Sequence, residues 1–536
     1  MMDADDLDFP SDFCSDENCG TAVVQNTLLF SASQDAEPSI VAGGLYTYEH
    51  NSVYPKFYDT ETSVEEPEES EKERTVVLST TQPLRPFYNP INYGIHKPWA
   101  MSDNEYLSGG GGGDTGYTSA GSILRKPRRP VGKVSTVLVG WNVVNMMMNL
   151  SILAIPYSIA SGGLISVALI PIIAIMCGYT GKLLIDCMYE HSVRRRRYKT
   201  RVRLDYIEIG QDYSNSDTGG RIIHVLQVID MLCVCILNIN VLGALCFEIF
   251  HSHLSIEVCT AIGVTIALPT FFISRLGLIA WMHLVGVASL VIGLILVEGY
   301  CVANFKYWSI RDIPIYNLEK LPISIGIIVC SFGIHSALPG IEQQMSKPKQ
   351  YRPMLAITFS SAVVAKMLVG FTNALLYGTK TDEVITVDLQ YHFGLGIASA
   401  VFIFISVLCL FSLPTFVIME SIDSTIAEMF PFFQRAENGY SIWLSVCNRF
   451  MIIALSLTVA ILVPHFALLM AFIGNTINTL LSLTIPCIFH LRMKKSRLRW
   501  YHHIFNRLII GLSIISMLTG VFFTGRELHR SMTKQK

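Results

Sequence analysis

From residue 137 onward, long apolar runs alternate with short polar connections; before that point no such pattern exists. Eleven of these runs are long enough for a helix rising ~1.5 Å per residue to cross a hydrocarbon core of ~30 Å. Their limits are 137–160, 162–187, 222–249, 256–273, 276–302, 321–340, 353–378, 392–419, 445–463, 465–489 and 504–523. The pattern predicts an all-α membrane protein with 11 transmembrane helices. Residues 1–130 carry an acidic cluster (Glu65, Glu66, Glu68, Glu69, Glu71, Glu73), several prolines and a glycine run from Gly109 to Gly113. Such a segment buries too little apolar surface to offset its ordering entropy, which predicts a disordered acidic tail. The expected organisation is tail 1–130, membrane domain 131–525 and a short terminal tail 526–536.

Two runs are interrupted in the same way. The first carries Asn149, Ser151 and then Pro156; the sixth carries Ser331, Gly333, His335, Ser336 and then Pro339. Proline lacks a backbone donor and clashes with the preceding turn, so helix breaks are expected at Pro156 and Pro339. Unsatisfied backbone groups in lipid cost several kcal/mol each, and a break survives where it lines a polar cavity. The interruptions lie five spans apart, as expected when spans 1–5 and 6–10 are inverted repeats. Such a pair suits a carrier of a small zwitterion. Freed amides of Leu150, Ser151, Ile152, Leu153 and Ala154 would receive its carboxylate, and freed carbonyls at Ser331, Phe332 and Gly333 its ammonium.

Charge fixes an expected orientation. Only 15% of the 536 residues are charged, against ~25% in a soluble protein. Placing the N-terminal tail in the cytoplasm puts 24 basic residues of the span-flanking segments on that side and eight on the other, the expected positive-inside bias. The C-terminus then lies on the lumenal side. Met1 to Asp6 offer neither a positive region nor an apolar run, so the first span is expected to direct insertion itself. Arg194, Arg195, Arg196 and Arg197 are read as topology determinants touching anionic lipid. Tyr54 to Phe57 match a tyrosine-based sorting signal for adaptors.

Thirteen cysteines are scattered without metal-ligand spacing, and Asp114 stands where a phosphate loop would need lysine. With no nucleophile elbow or nucleotide fingerprint, an enzyme is not expected, nor a metal or organic cofactor; the proton is the expected coupling ion. Three ionisable residues lie deep in spans. Asp230, nine residues into span 3, is the first candidate proton carrier, because a mid-span charge costs ~2.5–3.5 kcal/mol on insertion scales. Lys366 in span 7 either neutralises Asp230 or another acid or snorkels to the interface. His335, at the span 6 break, either titrates between vesicular and cytosolic pH or packs as a neutral ring. Glu298 and Glu420 near span ends fit an interfacial place, and His465 a structural one.

Gly140 to Val143, Ile155 to Tyr157, Gly162 with Gly163, and Cys177 to Ile185 resemble the amino acid/auxin permease family. So do Pro322 to Val329, Val384 to Thr386 and Val463 to Met470, and the resemblance covers about residues 130–525. It is nearest to the family's vesicular branch. It implies a LeuT-like core and proton antiport that loads small neutral amino acids, such as GABA and glycine, into synaptic vesicles. The alternatives are a lysosomal or plasma-membrane carrier, sodium-coupled or not, and an amino acid sensor signalling through the tail. Asn149 replaces the family's usual glycine, which narrows the site or adds an amide contact. Asn475 departs from a glycine-rich stretch in span 10, and both changes bear on which amino acid is carried.

Overall fold

The computed structural model describes residues 134–535 apart from 149, 192–198, 251–252, 274, 390–392, 430–439 and 496–497. The N-terminal tail, its sorting motif, Asn149 and Arg194 to Arg197 lie outside the described residues. The described chain is almost wholly helical. Eight of its helices are long and apolar enough to cross a membrane, and a ninth candidate is a helix pair bent by 41°. Two shorter apolar helical stretches, Ile256–Phe272 and Leu321–Phe332, stand among them.

The bent pair is α1 (Thr136–Met148) and α2 (Ile155–Gly162), joined through a 3-10 turn, Leu150–Ala154. Pro156 occupies the first turn of α2, where its missing N–H costs nothing. Gly163 then turns the chain with φ +94°; a Cβ there would stand 2.6 Å from the Pro314 carbonyl oxygen. α3 (Ile165–Met188) leads into a hairpin of β1 (Tyr189–His191) and β2 (Lys199–Arg201), antiparallel, with Glu190 opposite Thr200. The helix-only expectation therefore misses a small sheet. It also misses α4 (Tyr206–Ser214), which Asp205 caps by accepting from the Glu208 amide at 2.7 Å, while Glu208 accepts from the Leu204 amide.

α5 (Asp217–Ile249), α6 (Ile256–Ala267) and α7 (Leu276–Ala303) follow. α8 (Leu321–Phe332) stops at Gly333, and α9 (Leu338–Gln344) restarts with Pro339 in its first turn. α10 (Tyr351–Tyr377) is continuous. The eighth run divides into α11 (Phe393–Leu410) and α12 (Ser412–Met429). Pro414 supplies the reason, since its ring opposes the Leu410 carbonyl four residues earlier. After α13 (Tyr440–Leu462), α14 (Phe466–Ile473) passes into two π-helical turns, Gly474–Asn478 and Leu480–Thr484, before α15 (Ile485–Met493). α16 (Trp500–Gln535) takes up nearly all of the segment expected to be a short terminal tail.

The core holds the two interrupted helices. Leu153, Ala154, Ile155, Ile327, Phe332 and Leu338 are fully buried, whereas Ile357, Val364 and Leu368 on α10 and Ile295 on α7 are more than half exposed. Apolar side chains so placed find their solvent in lipid tails. Val134, just before α1, is bonded to the Gln344 carbonyl and receives the Ser346 amide at the end of α9. Arg526 of α16 pairs with Glu319 at 2.9 Å, beside the start of α8. The two described ends of the chain thus meet opposite ends of the α8–α9 pair.

Two arginines counted in the sequence as topology charges are not at the lipid surface. Arg201 and Arg203 are 4% and 7% exposed, and both are held in ion pairs, Arg201 with Glu342 and Arg203 with Glu190 and Asp212. Glu298, expected at an interface, accepts from Thr372 at 2.7 Å and from Asn373 at 2.6 Å, tying α7 to α10.

Candidate functional site

The two interruptions meet at one side chain, Lys366 of α10. Its ammonium donates to the Ser331 carbonyl at 2.5 Å and to Ser151 Oγ at 3.2 Å, and stands 4.5 Å from the centre of the Phe332 ring. The Ser331 carbonyl is available because α8 ends one residue later, leaving its last carbonyls without intrahelical donors. Ser151 belongs to the 3-10 turn between α1 and α2 and donates in turn to the Met147 carbonyl at 2.9 Å. Lys366 has no exposed surface, so it does not snorkel, and it forms no ion pair with Asp230. Neither role expected from the sequence is the one the structure gives it.

The 3-10 turn alters a second expectation. Leu150–Ala154 tightens instead of opening into extended chain, so i→i+3 bonds absorb amides that a full break would leave free. Leu150, Ile152, Leu153 and Ala154 turn their side chains into the apolar core, and the Leu153 carbonyl receives the Ile385 amide at 3.2 Å. Of the residues expected to bind substrate, Ser151, Ser331 and Phe332 are brought together. Gly333 lies on another side, against α14's π-helical continuation: a Cβ on it would stand 2.1 Å from Asn478 Oδ1.

Asp230 and His335 address the connection between α8 and α9. Asp230, 4% exposed on α5, accepts from Ser336 Oγ at 3.1 Å, and Gln227 one turn earlier donates to the Ser336 carbonyl at 3.5 Å. His335 is fully buried, with Nε2 3.1 Å from the Cys177 carbonyl and 3.0 Å from Thr180 Oγ1 on α3. A carbonyl can only accept, which assigns the proton to Nε2 and leaves Nδ1 bare; Nδ1 has no partner among the described residues. Gly181 lets Leu338 of α9 approach the same α3 surface, since a Cβ there would stand 2.8 Å from the Leu338 Cδ1. Sequence reasoning missed Ser336, Gln227, Thr180 and Asn478. Their polarity within apolar runs was the available signal, but the same is true of many hydroxyl residues that merely bond their own helix.

The site is therefore two half-helix ends, a buried ammonium across them and a buried carboxyl behind one. A family profile described as transmembrane amino acid transporter protein matches residues 132–525. This chain belongs to that family. Among its relatives, the vesicular inhibitory amino acid transporter of Xenopus tropicalis is 30% identical over 439 residues, 79% of this chain and 83% of the relative. The human protein of the same name is 30% identical, covering 81% of this chain and 82% of its own. The vesicular GABA transporter of Caenorhabditis elegans is 26% identical, covering 74% and 81%. The chain is an amino acid transporter and not an enzyme. In this transmembrane amino acid transporter, the site's ionisable side chains, Asp230, Lys366 and His335, lie on α5, α10 and the α8–α9 connection, and α3 supplies the partners of His335.

Proposed function

We propose that this transporter exchanges protons for small neutral amino acids such as GABA and glycine, loading synaptic vesicles. The relatives' printed names support the substrate class and the vesicular setting. The observation that carries the coupling is the bond between Asp230 and Ser336: a buried carboxyl whose partner sits in the interruption itself. Taking or losing a proton there changes whether Asp230 holds the α8–α9 connection. His335, with Nδ1 bare, is the second proton site on the same connection. Ser151, Ser331 and Phe332, with the neighbouring Leu150 to Ala154 backbone, form the substrate's surroundings; Asn149 adjoins them in sequence, and Gly333 bounds them on the side of Asn478.

The architecture proposed with this function has 11 spans in a LeuT-like 5+5 inverted repeat plus one further helix. Eight long helices, the bent pair and two shorter apolar stretches support that count, and the matched interruptions support the repeat. The basic-residue bias supports a cytoplasmic N-terminus and lumenal C-terminus.

The test is uptake of labelled GABA and glycine by proteoliposomes made acidic inside, without sodium. Uptake should follow the pH gradient, and Asp230→Asn should abolish gradient-driven accumulation while keeping counterflow exchange. Sodium-dependent uptake indifferent to pH, or full accumulation by Asp230→Asn, would overturn the reading.

A further inference from the structure

Lys366 brings its amine into a place where everything else the structure sets beside it is a dipole. A carbonyl, a hydroxyl and the face of an aromatic ring receive it. Among the described residues, no carboxylate stands within the 4.0 Å of an ion pair. An ammonium has three N–H donors, and two are engaged. A buried ammonium without a counter-charge is unfavourable by several kcal/mol, and a bound anion removes that cost. The remaining donor and the missing negative charge are a matched pair of vacant requirements.

The location makes the substrate the natural source. Lys366 is the one side chain described that bonds both interruptions, so an anion bound to it would bridge the 3-10 turn of the first span and the end of α8. Two other features weigh against the alternative arrangement. The 3-10 turn Leu150–Ala154, the expected source of carboxylate donors, uses its later amides in i→i+3 bonds and so has fewer to offer. The Ser331 carbonyl, the expected acceptor of the substrate's ammonium, already holds the chain's own ammonium.

We propose that Lys366 is the carboxylate-recognition residue of the transporter, so that the carboxylate is the obligatory group of the substrate and the amine a secondary one. This rests on the transport reading above and adds to it the polarity with which an amino acid enters. Recognition through one charged anchor leaves the amine position free to vary, so chains of different amino-to-carboxyl spacing are accepted.

The experiment compares two ligand series as competitors of labelled GABA uptake in proteoliposomes and as stabilisers of the purified protein in thermal melts. Propionate and butyrate have the carboxylate alone; propylamine and butylamine have the amine alone. Wild type should be inhibited and stabilised by the carboxylates, with the amines at least 10-fold weaker. Lys366→Gln should weaken the carboxylates about 10- to 100-fold, the range of a hydrogen bond to a charged group, and Lys366→Arg should recover part of that loss. Competition by amines equal to or better than that of carboxylates in wild type would overturn the proposal, whether or not any variant folds. So would a Lys366→Gln protein with unchanged carboxylate affinity, or wild type that ignores both series. Because melts read binding without a gradient, carboxylate stabilisation in a protein that fails to accumulate GABA would sink the transport reading and leave the anchor standing.

Discussion

Arg201 and Glu342 form an ion pair 2.7 Å apart with side chains only 3% and 1% exposed, joining the β1–β2 hairpin to the end of α9. The guanidinium also donates to the carbonyls of Leu204 at 2.9 Å, Arg203 at 3.1 Å and Pro339 at 3.2 Å. Glu342 accepts from the Tyr189 hydroxyl, and Lys494 of the α15 end donates to the Tyr189 carbonyl. One buried fork thus fixes the second half of an interrupted span to the segment following α3.

Removing either partner strands a charge in the interior, which costs about 3–5 kcal/mol. Arg201→Leu and Glu342→Leu should each lower the thermal midpoint sharply, and the double variant should recover much of the loss. Lys at 201 should not rescue, because the three carbonyls and one carboxylate match a planar fork and not a point charge. Melts of the purified proteins at neutral pH check this; additive losses in the double variant would refute it.

Gly333 packs against Asn478, whose side chain is 5% exposed and donates weakly to Cys330 Sγ at 3.6 Å. A methyl group at 333 would stand 2.1 Å from Asn478 Oδ1 and 2.8 Å from its Cγ, inside any tolerable contact. Gly333→Val should abolish uptake while the protein still inserts. Asn478→Ala should restore part of that uptake, with a coupling of about 0.5–3 kcal/mol as found for touching residues. Initial uptake rates of the two single variants and the double variant close the cycle.

Asp388 lies in the connection between α10 and α11, 6% exposed, with Oδ1 accepting from the Asp382 amide at 2.9 Å and Oδ2 unpartnered among the described residues. Burial pushes its carboxyl up from 3.8 to about 7, against the lowering effect of the Asp382 amide. The folded protein therefore binds this proton more tightly than the unfolded chain. Its stability contribution is intact below about pH 4, is lost as pH rises towards 7, and changes no further above that. Asp388→Asn should raise the thermal midpoint at pH 8 and flatten the dependence between pH 5 and 7 by up to ~1.4 kcal/mol per pH unit. An identical pH profile in wild type and variant would contradict the assignment.

Much of this fold was legible because lipid imposes one simple requirement. Backbone groups must be satisfied within each span, so apolar length and proline position show directly, as at Pro156 and Pro339. Pro414 carried the same signal for the α11–α12 break, but the surrounding run was apolar enough to conceal it. The π-helical turns after Ile473 left only small and amide residues, Gly474, Asn475 and Asn478, as a trace. A Cβ on Gly474 would stand 1.8 Å from the Gly326 carbonyl, a contact between spans that hydropathy does not encode.

The candidate site was legible by type and not by pairing. Asp230, His335 and Lys366 stood out as ionisable groups in apolar surroundings, yet their partners lie far off in the chain. Ser151 is 215 residues from Lys366, and Ser336 is 106 from Asp230. Arg201 and Arg203 looked like surface charges because their acidic partners are equally invisible in a local window.

That the chain is a helical membrane protein with two interrupted spans can be read from its residues, since apolar run length and proline chemistry act within a few positions. Which groups the interruptions present depends on packing. The rotation of α10 about its axis sets whether Lys366 meets an acid, the lipid boundary or two helix ends, and that rotation is fixed by packing among distant helices.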